Sequence, residues 1–174
     1  MSANEVIDSE SAFTLADFTS LAMIVPYLRG QDAAAVIQEL SAALQREGHV
    51  TDLLQFYHSA INREYLCSTV ADPGWAMPHA RIKGLRQPRF VLGRCQPPMV
   101  WMKSDRQPVS LVFLFAAPET DARAYMNLIS GVARFSKSPH LVGQLLQASD
   151  SFEIFNVLKQ VKLRRTEPTP VAPS

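Results

Sequence analysis

The chain has 174 residues, which suits one ordinary domain. Apolar residues make up 47% and charged residues 19%, with a formal net charge of +1. A sizeable core is therefore available, and neither a nucleic-acid surface nor a polybasic membrane anchor is indicated. The pI near 7.8 leaves recognition of any charged partner to a local patch. Two cysteines, Cys67 and Cys95, are too few for a disulfide framework and read as reduced thiols.

The amino terminus opens on Met1-Ser2-Ala3-Asn4-Glu5, polar and slightly acidic, and residues 1–12 read as a loose leader. Leu21 to Val25 is a short apolar run ended by Pro26 and predicts a strand. Asp32 caps a helix on which Ala35, Val36, Leu40, Ala43 and Leu44 recur with a 3.6-residue period, until Gly48 stops it. Thr51 or Asp52 caps a second helix, with Leu53, Phe56, Tyr57, Ala60 and Ile61 on one side, ending near Arg63 to Leu66. Residues 68–88 contain three prolines and two glycines and read as an irregular loop.

Arg89 to Arg94 and Val109 to Ala116 predict strands, the second apolar enough for a central position covered on both faces. Val100-Trp101-Met102 suggests a short strand between them, followed by a turn from Lys103 to Gln107. Thr120 or Asp121 opens a helix to about Phe135, and Ser138-Pro139 opens another. Asp150 with Glu153 makes a capping box for a last helix to about Leu163. The tail 164–174, with three prolines, reads as disordered. The body, 13–163, is expected to be one α/β domain: three layers, α/β/α, with a central mixed β-sheet flanked by helices. No run of about 18 uninterrupted apolar residues exists, so membrane insertion is not expected and the protein reads as cytoplasmic.

The segment Trp75-Ala76-Met77-Pro78-His79-Ala80 offers a nucleophile. Pro78 fixes its own φ and restrains Met77, so the backbone leading to His79 is stiff. Neutral imidazole is nucleophilic near neutral pH and can carry a covalent phosphoryl group. Such a group needs donors for its oxygens, and Arg63, Ser68 and Thr69 lie upstream with Arg81 two residues on. Spacing alone leaves a loop histidine without a task as the commoner explanation.

The ordered set Arg63-Glu64-Tyr65-Leu66-Cys67-Ser68-Thr69, then Trp75 to Arg81, then Val109 to Glu119 and Tyr125 to Ile129 resembles the fructose/mannitol-type enzyme IIA family, nitrogen-regulatory relatives included. The resemblance runs from about Leu15 to Leu163. It implies that His79 accepts a phosphoryl group from the phosphohistidine of the carrier HPr and passes it to an enzyme IIB cysteine. It implies further that Arg63 grips the phosphoryl oxygens, with Ser68, Thr69 and Arg81 as additional donors, and that neither metal nor cofactor is required. A standalone regulator, whose His79 phosphorylation controls partner proteins, is the alternative role. The family often has a second histidine where this chain has Tyr125. A phenol can donate to phosphate but cannot become an imidazolium, so Tyr125 either substitutes in part or only packs on the sheet.

Trp75 shapes a docking surface or is core. Arg81, Lys83, Arg86, Arg89 and Arg94 form either a solvated face or a basic docking rim. His49, His58 and His140 have no partner at metal-ligand spacing and read as structural or surface residues.

Overall fold

The computed structural model describes residues 13–164. The leader 1–12 and all of the predicted tail except Arg164 lie outside the described residues, and Arg164 itself is exposed. Two 3-10 turns, Leu15–Phe18 and Leu21–Met23, lead into β1 (Ile24–Val25). Then come α1 (Ala33–Arg46), α2 (Leu53–Leu66), β2 (Trp75–Ala76), β3 (His79–Ile82), β4 (Arg89–Met99), β5 (Val109–Pro118), α3 (Ala122–Ser136), α4 (Pro139–Gln147) and α5 (Ser151–Leu158).

The sheet runs β1-β4-β5-β2, with β3 also paired to β5. It is mixed: β4 and β5 are antiparallel, whereas β1 on β4, and β2 and β3 on β5, are parallel. Both faces of β5 are covered, which is why it reads as one apolar run. Val112, Leu114 and Ala116 pack with α1 and α2, while Leu111, Phe113 and Phe115 pack with α3, α4 and α5. The result is the expected three-layer α/β/α fold.

Several boundaries differ from the sequence reading. The predicted first strand is mostly a 3-10 turn, and only Ile24 and Val25 pair. The expected loop 68–88 holds two short edge strands instead. β2 pairs with Leu111 and Val112, and β3 continues along the same edge of β5 from Phe115 to Pro118. Proline and glycine density hid them, because their order comes from the longer partner strand. β4 extends past Arg94 to Met99 through an irregularity, whereas Val100 to Met102 form no strand. The last helix ends at Leu158, five residues short of the predicted Leu163.

The aspartate caps act as expected. Asp32, Asp52, Asp121 and Asp150 each accept the backbone N–H three residues on, at 2.8, 3.0, 3.0 and 2.9 Å. Glu153 reaches back to the Ser149 amide at 2.6 Å. Ser138 makes no side-chain cap bond, so α4 starts on Pro139 alone.

Gly74 requires its residue type. Its φ is +100°, and a Cβ there would lie 2.5 Å from the Pro108 carbonyl oxygen. That turn seats Trp75 on the sheet: the Gly74 carbonyl accepts the Ser110 amide at 2.8 Å. Trp75 is core, 2% exposed, with its ring 5.2 Å from both Phe113 and Phe135.

Candidate active site

His79 is the first residue of β3, directly opposite Phe115 of β5, and is half-buried. The Pro78 carbonyl accepts the Phe115 amide at 2.9 Å, so the stiff proline step is tied to the central strand. The His79 Nδ1 lies 3.2 Å from the Met77 carbonyl oxygen. A carbonyl only accepts, so this hydrogen bond requires the proton on Nδ1 and leaves the lone pair on Nε2. The imidazole thus has a backbone contact that selects which nitrogen keeps its lone pair.

Tyr125 projects from α3, with its ring 6.0 Å from the His79 ring and edge-on to Phe115 at 5.9 Å. Burial pushes its phenol up to about 12, while the guanidinium groups of Arg63 and Arg81 act in the opposite direction. Both charges, one carried by α2 and one by β3, therefore act on the ring that faces His79. Of the residues singled out in the sequence, His79 and Tyr125 stand ring to ring, and Arg63 and Arg81 act on the phenol through their charge. Arg63 is held in place by donating from Nη1 to the Cys67 carbonyl oxygen at the end of its own helix, 2.9 Å.

Ser68 and Thr69 are arranged differently. The Ser68 hydroxyl donates to Asp105 Oδ2 at 3.0 Å. The Thr69 hydroxyl donates to the Glu64 carboxylate and accepts the Met77 amide at 2.9 Å. Both hydroxyls are thus engaged within the protein and tie the loop ahead of β2 in place. The residue types at that step indicated donors, but not that carboxylates would hold them.

The basic cluster divides. Arg81 and Lys83 line a cleft of about 340 Å³ against α2, with Asp52, Ser59 and Glu119. Arg86 and Arg89 line another, with His49. Arg94 belongs to neither a solvated face nor a rim: it is 1% exposed. Its guanidinium donates to the carbonyl oxygens of Pro26, Leu145, Leu146 and Ala148 at 3.1, 3.1, 3.1 and 2.7 Å, and lies 5.3 Å from the Tyr27 ring centroid. It closes the end of α4, where unpaired carbonyls favour a cation. His58 and His140 are exposed, and His49 is held below the usual histidine range by burial and by Arg89. Among the described residues no group of three or more His, Cys, Asp or Glu is placed to hold a metal ion, and no helix is long and apolar enough to cross a membrane.

Glu64 was missed as a site residue. It is 1% exposed and accepts from Thr69 and from Trp101 Nε1, the latter at 2.7 Å. A helical glutamate beside an arginine reads as a solvated pair, and only the fold reveals its burial.

Fold and site together define a three-layer α/β protein that presents one oriented imidazole beside a phenol. The chain belongs to the family described as "Phosphoenolpyruvate-dependent sugar phosphotransferase system, EIIA 2", whose model matches residues 18–161. It is 26% identical over 133 residues to the fructose-specific EIIABC component of Bacillus subtilis, covering 76% of this chain but only 21% of that longer protein. It is 28% identical over 149 residues to a nitrogen regulatory protein of Bradyrhizobium diazoefficiens, covering 83% of this chain and 94% of that one. Among solved structures it is similar to the nitrogen regulatory protein IIA-Ntr of Neisseria meningitidis, with TM-score 0.68, 23% identity, and 83% and 98% of the two chains covered. It is also similar to the Escherichia coli mannitol IIA in complex with phosphorylated IIB, with TM-score 0.66, 14% identity, and 80% and 95% covered. At these identities the structural likeness is one of fold.

Proposed function

We propose that this protein is a cytoplasmic phosphoryl carrier of the phosphoenolpyruvate-dependent sugar phosphotransferase system, with Nε2 of His79 as the acceptor. The observation that carries this reading is the Nδ1 contact to the Met77 carbonyl, 3.2 Å, which leaves Nε2 with its lone pair. The donor is the phosphohistidine of an HPr-type carrier. Its P–N bond breaks as the bond to Nε2 forms, and its imidazole leaves with the lone pair. The His79 ring gains positive charge, and the Met77 carbonyl, holding the Nδ1 proton, faces that charge. In the second step the thiolate of an enzyme IIB cysteine attacks phosphorus and His79 leaves as neutral imidazole. Transfer of this kind needs positioning and charge stabilisation rather than further covalent chemistry, so neither metal nor cofactor is invoked.

Arg63 and Arg81 supply that stabilisation, Arg63 through a fork that suits two phosphoryl oxygens. Tyr125, protonated through the physiological range, supplies a hydroxyl donor where relatives of the family often carry a second histidine. Ser68 and Thr69 act as scaffold, ordering the loop on which the acceptor stands. Leu66, 84% exposed just past Arg63, and Met126, 56% exposed beside Tyr125, suit a partner surface with an apolar part.

The match to a nitrogen regulatory protein over 94% of its length favours a second role for the same chemistry. In that role the phosphorylation state of His79 governs binding to partner proteins. Incubation with phosphoenolpyruvate, enzyme I and HPr should add one acid-labile phosphoryl group that His79→Ala lacks. No label on the wild type, with a carrier that labels a control protein, refutes the carrier reading. Pull-downs with wild type and His79→Ala separate uptake from regulation: partners that depend on phosphorylation indicate regulation.

A further inference from the structure

Glu64 stands in the last turn of α2 as a buried carboxylate, and each partner that meets it donates. Trp101 Nε1 approaches Oε1 at 2.7 Å and the Thr69 amide approaches it at 2.8 Å. The Thr69 hydroxyl lies 3.0 and 2.9 Å from the two carboxylate oxygens. A hydroxyl has one proton. Thr69 directs it to Glu64, so a lone pair of its oxygen faces the Met77 amide, at 2.9 Å. The carbonyl of that same Met77 accepts His79 Nδ1–H at 3.2 Å. Hydrogen bonds therefore lead from the indole of Trp101, through Glu64 and Thr69, to the Met77 N–H, and from the carbonyl of that same residue to the imidazole.

Burying a carboxylate is costly, and an apolar side chain of similar volume often serves stability as well. A retained buried carboxylate is better explained by what it orders. Here it orders a hydroxyl that holds the Met77 N–H, and the carbonyl on the other side of the Met77 Cα sets the histidine tautomer. The same logic governs metal sites, where the partner of the second ring nitrogen decides which nitrogen is available.

We infer that Glu64 and Thr69 are positioning residues that hold the Met77 carbonyl against His79 Nδ1 and so keep Nε2 as the lone-pair nitrogen. The inference rests on the reading of His79 as phosphoryl acceptor, but its first readout does not. That readout is the tautomer of His79, taken from long-range 1H–15N correlation spectra of the histidine-labelled full chain over a pH series, on the limb where the spectra show a neutral ring. The wild type should show a single form protonated on Nδ1. Thr69→Val, which removes the hydroxyl at nearly constant volume, should give a mixture of both tautomers. It should also slow phosphorylation by HPr about fivefold, the scale of one ordinary hydrogen bond. Thr69→Ser should restore both values. Glu64→Gln, which can no longer take the Thr69 proton on either of two equivalent oxygens, should fall between and serves if Thr69→Val does not fold.

A wild type protonated mainly on Nε2, or a folded Thr69→Val with unchanged tautomer and rate, overturns the inference. The expected tautomer pattern together with no phosphoryl label on wild-type His79 would instead overturn the carrier reading and leave the hydrogen-bond chain intact.

Discussion

Replacing Tyr125 with phenylalanine should abolish a specific loss of stability at high pH. The phenol is pushed from 10 to about 12, first by burial and against the opposing pull of Arg63 and Arg81. A raised pKa on an acid that is neutral when protonated means that the folded state binds this proton more tightly than the unfolded state. The contribution is fully present below pH 10 and is lost as pH rises from about 10 towards 12, because the unfolded chain releases the proton first. At about 1.4 kcal/mol per unit, a shift of this size is worth about 2–3 kcal/mol. The assay is urea unfolding of wild type and Tyr125→Phe at a series of pH values from 8 to 11.5. Subtracting the two curves removes lysine and the other tyrosines. The difference should be flat to just below pH 10 and then fall by about 1.5 kcal/mol between pH 10 and 11.5. A difference that stays flat throughout would show that the ring is more open to water than its packing on Phe115 and His79 implies.

Arg94→Met should destabilise by about 3 kcal/mol, lowering the melting temperature by about 9 °C, because the carbonyls at the end of α4 lose a charged donor. Phosphorylation per folded molecule should be unchanged, and a shift below about 1 °C would contradict the capping role. Arg63→Lys keeps the charge but loses both the fork and the bond to the Cys67 carbonyl, so phosphorylation of His79 should slow at least tenfold, as stopped-time labelling would measure. An unchanged rate would remove Arg63 from the site. A maleimide should label one thiol, Cys67, which is exposed, and spare Cys95, which burial and Glu39 push up to about 11. Peptide mapping after brief treatment decides this, and rapid labelling of Cys95 would contradict its burial.

What was legible in the sequence divides by range. The central strand could be read because Val109 to Ala117 is apolar on both faces, a pattern that a strand covered on one side does not show. The helix starts could be read because each aspartate cap acts on an amide three residues away. β3 could not, since His79-Ala80-Arg81-Ile82 has no strand pattern of its own and is ordered by pairing with Phe115 to Pro118. Arg94 was misplaced for the same reason: three of its four carbonyl partners come from Leu145, Leu146 and Ala148, far along the chain. Residue types in the sequence brought His79, Arg63, Arg81 and Tyr125 forward as candidates. The backbone contact that orients the imidazole, and the buried Glu64 behind it, depend on how α2, the loop before β2 and the loop after β4 converge.

The proposed acceptor is one nitrogen, Nε2 of His79. 31P NMR of the protein after incubation with phosphoenolpyruvate, enzyme I and HPr tests it most directly, since the two phosphohistidine isomers give distinct signals. One signal of the Nε2 isomer, absent from His79→Ala, is the predicted result. A signal of the Nδ1 isomer, a signal that survives His79→Ala, or no signal beside a carrier that phosphorylates a control protein would contradict the account.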